Sequence, residues 1–261
     1  MIKMRSLLLR LAKLFPKSIA EKNHDYVGHM VGKLPNEVEK IILVLDLDEI
    51  NVDQIIDLSP DLVITHHPFI YGTPGKVFKR DPSRKELAEK LEQAGICVYS
   101  YHTNFDEGRG GMNDALAYAL GLNNIRPLGG DPMARGGELT SPMNIEDFSK
   151  MAIEKLGVKY GLLIAEGNEE INSVALIGGG GSRTWSIAKE EGYDIYISGD
   201  APHHVRRGIV VNQYNYLDLP HEIERIFMPT MQKRLLEIDP TLKITLINHE
   251  EPPLPIIIDN A

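Results

Sequence analysis

Thr65-His66-His67-Pro68 follows directly on the apolar run Asp61-Leu62-Val63-Ile64, and no other stretch of the chain narrows its fold and chemistry so far. A short apolar run of this kind reads as a buried strand. Two imidazoles at its end pack poorly but ligate well. Where a strand opens into a loop the chain turns, so neighbouring side chains can converge on a pair of ions instead of diverging to opposite faces. An isolated His-His pair has a plainer reading, one ring capping the strand and one in solvent. The pair is not isolated, because a second strand-like run, Gly95-Ile96-Cys97-Val98-Tyr99-Ser100, ends in Tyr101-His102-Thr103-Asn104-Phe105-Asp106.

Between these runs, Lys85 to Ala94 has helical spacing of its leucines and Glu-Lys pairs. Strand, helix, strand is the pattern of a parallel sheet, and ligand groups of such sheets gather beyond the carboxyl ends of the strands. His66, His67, His102 and Asp106 all fall there. An earlier strand is expected over Lys40-Ile41-Ile42-Leu43-Val44-Leu45-Asp46; Asp46 and Asp48 at its end read as turn and capping groups before a helix around Val52 to Ile56. The chain before it opens with Leu7, Leu8, Leu11, Leu14 and Phe15 at helical spacing, ending near Pro16, then a Gly-punctuated link through Gly28 and Val31-Gly32. Tyr71 to Ser83 is expected to be a loop.

With 261 residues, 43% hydrophobic and 25% charged, the chain can bury one large α/β domain or two lobes without a staple. Its single cysteine, Cys97, lies inside a strand pattern, which excludes a disulfide framework and points to a reducing, cytoplasmic setting. A net charge of −9 argues against a phosphate-backbone binder, so nucleic acid is not an expected partner. No run approaches the roughly 20 apolar residues of a membrane span.

Gly129-Gly130 and Gly136-Gly137 punctuate expected antiparallel strands, and Asn144 to Leu156 an expected helix. Ser173-Val174-Ala175-Leu176-Ile177 then runs into Gly178-Gly179-Gly180-Gly181-Ser182, which reads as a tight strand-to-helix connection or as an anion cradle of backbone N–H groups. Asp194 to Asp200 echoes Asp61 to His67, and Gly208-Ile209-Val210-Val211 echoes Gly95 to Val98. The echo suggests two similar α/β lobes with a site between them. Asp218 is a candidate N-cap and Pro220 a first-turn residue, which would put His221 and Glu224 on one helix face at ligand spacing. A helix over Met231 to Glu237, a strand over Lys243 to Ile247 and a tail from Pro252 to Ala261 complete the reading.

In order, Asp25-Tyr26-Val27-Gly28, Thr65-His66-His67-Pro68, His102-Thr103-Asn104-Phe105-Asp106 with Asn113-Asp114, Ser198-Gly199-Asp200 with His203-His204, and His221 with Glu224 resemble the Nif three-like family, also called type 2 GTP cyclohydrolase I homologues. The resemblance spans nearly the whole chain. It implies an α/β protein of two lobes, 1–124 completed by 240–261 and 125–239, with an interlobe dinuclear metal site and without an inserted extra domain. It implies two divalent ions per chain (zinc, iron, manganese, cobalt or nickel) held by His66, His67, Asp106, His221 and Glu224, with Asp106 as the bridge. In many members the last Glu stands four residues after the His, where this chain has Arg225, so Glu224 is preferred and Glu222 stays open. His102 or His204 would carry protons or orient ligands. The activity implied is metal-dependent hydrolysis of a nucleotide ring or a phosphoester, with Arg183, Arg206 and Arg207 as candidate anion partners; the alternative is a non-catalytic ring that uses metal for assembly or for binding a partner. A homohexamer built as a trimer of dimers is implied as the assembly.

Overall fold

The strands form where the apolar runs lie, because a strand covered on both faces needs an apolar side chain at every position. The computed structural model describes residues 1–256, so the end of the expected tail lies outside the described residues. The chain divides into two units, Met1–Met112 with Phe227–Glu250, and Asn113–Ile226 with the residues from Glu251. No helix among the described residues is long and apolar enough to cross a membrane.

The first unit opens with β1 (Ile2–Lys3), α1 (Met4–Leu14), α2 (Lys17–Lys22), β2 (Gly28–Val31), β3 (Glu37–Val38) and β4 (Lys40–Val44). It continues through α3 (Val52–Leu58), β5 (Leu62–Thr65), α4 (Pro74–Arg80), α5 (Pro82–Gln93), β6 (Cys97–Ser100) and the single turn α6 (Thr103–Glu107). Helix Phe227–Ile238 and strand Lys243–Ile247 return to it. The sheet order is Lys243–Ile247, β4, β5, β6, β2, parallel throughout except for antiparallel β2 at the edge. Ile42, Val44, Val63 and Val98 pack with Ile55, Leu87 and Leu91 in its core. In α1, Leu7 and Leu11 are fully buried while Leu9 is exposed, as the helical spacing requires.

Two segments of this unit differ from expectation. The link after α2 is an edge strand, β2, paired with β6; Gly28, at φ +104°, enters it in a conformation that suits glycine. The segment expected as a loop contains α4, which starts with Pro74 directly after Thr73 and buries Val77. Proline is favoured in a first helical turn, and here that local signal outweighs the surrounding polarity.

The second unit contains α7 (Met112–Ala119), β7 (Asn123–Pro127), β8 (Arg135–Asn144), α8 (Ile145–Lys155), β9 (Leu162–Ala165) and β10 (Glu170–Leu176). Beyond a 3₁₀ turn at Ser182–Thr184 come α9 (Trp185–Glu190), β11 (Ile195–Ser198), α10 (His203–Val211), β12 (Asn215–Asp218) and a 3₁₀ helix, His221–Ile226. Its sheet runs β7, β8, β10, β11, β12, β9, with β10, β11 and β12 parallel and the outer pairs antiparallel. Asn144 caps α8 by accepting from Glu146 N–H at 2.9 Å.

The echo at Gly208 to Val211 is not a strand. Those residues end α10, where Val205 and Ile209, four apart, are buried and Val211 is exposed. Burial at helical spacing overrides the β-branched composition, and the third parallel strand is β12. Two expected caps are also corrected. Asp218 belongs to β12 and accepts from Ala201 N–H at 3.5 Å; Asn113 bridges Gly178 N–H (2.7 Å) and the Met133 carbonyl (3.1 Å) instead of capping α7.

Candidate metal centre

In the first unit the parallel register brings three strand ends level. Thr65 faces Val44 on one side and Ser100 on the other, so Asp46, His66-His67 and His102 all emerge at the same sheet edge. The Thr65 hydroxyl donates to the His67 carbonyl at 2.8 Å and lies 2.6 Å from Ser100 Oγ, which secures the edge.

Each imidazole there has an oxygen behind it. His66 Nδ1 lies 2.9 Å from the Tyr101 carbonyl, His67 Nδ1 2.7 Å from Asp46 Oδ2, and His102 Nδ1 2.8 Å from Asp25 Oδ2. Carbonyl and carboxylate oxygens only accept, so each Nδ1 donates its hydrogen and each ring presents Nε2. The ring centroids stand 5.0, 5.1 and 5.6 Å apart, and one nitrogen from each of the three lies within 4.8 Å of the others. An oxygen behind each ring that fixes its tautomer is the usual support of a metal-binding histidine. Asp106 adds a carboxylate, its Oδ1 3.5 Å from His66 Nε2.

The turn His102 to Asp106 divides its work by residue. Phe105 and Asp106 N–H donate to the His102 carbonyl, so His102 and Asp106 share one helical face. Thr103 donates from N–H (3.2 Å) and Oγ1 (2.7 Å) to Asp25, and Asn104 donates to the Phe15 carbonyl at 3.0 Å. Phe105 is buried between Phe15 and Phe227, and Phe227 also stacks on His66 at 5.0 Å. Burial alone would raise the Asp25 carboxyl, but the bonds from His102, Thr103 and Tyr26 hold it down, to about 2. Burial opposes charge on His102, and its bond to Asp25 with the nearby Asp106 charge outweighs that, so its pKa is raised.

The second unit places His221 between two carboxylates, Asp200 Oδ2 2.5 Å from Nδ1 and Glu224 Oε2 3.1 Å from Nε2. The expected α-helix start is a 3₁₀ helix, in which residues three apart eclipse, so His221 and Glu224 align while Glu222 and Arg225 turn away by about 120°. Glu224 is 4% exposed. Arg225 donates to the Glu222 and Gly157 carbonyls. The Glu224 bond, opposed by burial and reinforced by Asp200, raises His221 to about 9. His221 and Glu224 would hold a cation in competition with the proton that their contact favours on the ring.

The glycine-rich turn serves this pair. Gly179 has φ +62°, and a Cβ there would meet Glu224 Oε1 at 2.0 Å and the His221 ring at 3.1 Å. Its carbonyl accepts from Gly199 N–H at 2.6 Å, beside Asp200, itself at φ +57°. The turn therefore leaves room for the carboxylate and ties down the loop that carries Asp200.

Of the residues anticipated, His66, His67, His102 and Asp106 come together in the first unit, and His221 and Glu224 in the second. His204 lies exposed in the first turn of α10, in no group of three or more close metal-binding side chains among the described residues. Arg183 and Arg207 are exposed. Asp46, expected to cap, instead supports His67; Asp25 and Asp200, which appear only within motifs, and Gly179, read as part of the glycine-rich turn, were given no role at the site by sequence. Nitrogen and carboxylate donors without a thiolate suit a divalent transition-metal ion.

An α/β protein with partly buried histidine and carboxylate clusters beyond its strand ends, of a composition that could hold a divalent cation, is the class that this fold and these sites define. The chain belongs to the DUF34/NIF3 (NGG1p interacting factor 3) family, whose profile matches residues 2–253. It is 31% identical over 251 residues to a Lactococcus lactis protein named "GTP cyclohydrolase 1 type 2 homolog", covering 93% of this chain and 95% of that one. A Streptomyces coelicolor protein of the same name is 31% identical over 233 residues, covering 85% and 81%. The crystal structure of a Bacillus cereus protein related to NIF3 shares the fold, with a TM-score of 0.87 at 21% identity over 98% of this chain and 99% of that one.

Proposed function

We propose that the protein binds two divalent transition-metal ions per chain through His66, His67, Asp106, His221 and Glu224, and uses them to hydrolyse a small nucleotide or phosphoester. The observation that carries this reading is the alignment of three imidazoles, each with Nδ1 committed to an oxygen and a ring nitrogen within 4.8 Å of the others. The names of the relatives support a nucleotide as the substrate class.

Bound ions would supply Lewis acidity and an activated water. The chain's own residues do the rest. Phe105 and Phe227 wall off His66 from solvent. Asp25, held ionised, orients His102, whose Nε2 is the position at which a proton is taken up and returned. Metal-reconstituted protein assayed against a panel of nucleotides and phosphoesters tests this, with Asp106→Ala as the control. Turnover lost in that variant is expected; a panel with no turnover by fully loaded protein would favour a non-catalytic metal-binding role. A closed homohexamer, a trimer of dimers, is the assembly we propose from the family resemblance, and light scattering in dilute buffer tests it.

A further inference from the structure

Asp46 lies in the loop after β4, and its side chain is 43% exposed. A carboxylate in that setting does not hold a fixed geometry through one hydrogen bond, because solvent competes for it. The backbone of its loop is held instead. Asp46 N–H donates to Glu250 Oε1 at 3.0 Å, and the Asp46 carbonyl accepts from Asn51 Nδ2 at 2.8 Å. Asn51 is 1% exposed, and its Oδ1 accepts from Asp48 N–H at 3.1 Å. His249 closes the set, 2.9 Å from Asp48 Oδ2 and 3.2 Å from Asn51 Nδ2. Two residues of one loop, Asp46 and Asp48, are thus fastened to the buried amide of Asn51 and to two residues that follow the last strand.

We propose that Asp46 is the positioning residue of His67, and that Asn51 and Glu250, the latter 204 positions away in the chain, keep it at that task. The affinity of the histidine cluster for a divalent cation is then set partly by the segment His249-Glu250. The inference rests on the metal-binding reading above. Asp46 fixes the ring orientation of His67 and raises the basicity of its outward nitrogen, and loss of such a partner costs about 10- to 100-fold in metal affinity.

The test uses the full-length chain and Co(II), in competition with a chromophoric chelator, with the visible Co(II) spectrum and the urea midpoint of the metal-free protein recorded alongside. Asp46→Ala should bind Co(II) about 10- to 100-fold more weakly with an altered spectrum. Asp46→Asn should recover part of the loss, because its amide oxygen still accepts from Nδ1–H. Glu250→Ala should weaken binding in the same direction. A purely structural role would move the urea midpoint and leave affinity and spectrum alone, and that result for Asp46→Ala overturns the proposal. If Asp46→Ala does not fold, Asp46→Asn decides, and an affinity and spectrum equal to wild type overturn it. Glu250→Ala equal to wild type removes the C-terminal half. A wild-type chain that binds no Co(II) defeats the metal-binding reading itself, a result separable from all of these.

Discussion

Replacing Gly179 with alanine separates the two reasons for glycine at that position. The left-handed conformation, φ +62°, costs an L-residue about 1–2 kcal/mol. The new Cβ would also stand 2.0 Å from Glu224 Oε1 and 3.1 Å from the His221 ring. The carboxylate is the far end of a flexible side chain, so relief is sterically cheap, but it carries Glu224 away from His221 Nε2. We therefore expect a stability loss of about 1–2 kcal/mol, set by the backbone conformation, together with loss of the ion bound by His221 and Glu224. Urea unfolding of the metal-free variant gives the first quantity. The only tryptophan, Trp185, belongs to the second unit, so its fluorescence reports the unit that carries the change. Metal titration of the folded variant gives the second. Undiminished occupancy of both ions in a folded Gly179→Ala protein would refute the claim that the turn exists to admit the carboxylate.

Glu224→Gln should lose one ion while Glu222→Gln and Arg225→Ala keep both, as elemental analysis of purified variants would report; the reverse pattern would place the ligand at Glu222. His221 has a pKa raised from 6.5 to about 9 in the metal-free protein, so its contribution to stability is complete below pH 6.5 and fades as pH rises through about 9. His221→Gln should flatten that part of the metal-free stability profile, and divalent-ion affinity should climb across the same window as fewer protons compete. His102→Gln should abolish turnover with both ions retained if it moves a proton at Nε2; an ion lost with it would make His102 a ligand.

What the chain disclosed by itself is uneven for physical reasons. His66, His67, His102 and Asp106 were legible because strand ends in a parallel sheet are read from short apolar runs, and these side chains follow within a few residues. Asp46, Asp25 and Asp200 were not, since their partners lie 21, 77 and 21 positions away and only the folded register brings them close. Gly179 reads in sequence as part of a tight strand-to-helix connection or an anion cradle, because the Glu224 carboxylate that demands it belongs to a later segment. At Gly208 to Val211 the β-branched run outvoted the spacing of Val205 and Ile209, which was the better guide. Thr73-Pro74 carried a helix-start signal that the polar surroundings masked.

The most direct test is an anomalous difference map from crystals of the metal-reconstituted chain, recorded at the absorption edge of the metal supplied. We expect two peaks per chain, ligated by His66, His67 and Asp106 and by His221 and Glu224. Peaks that avoid these side chains, or none in crystals grown with the metal in excess, would contradict the assignment.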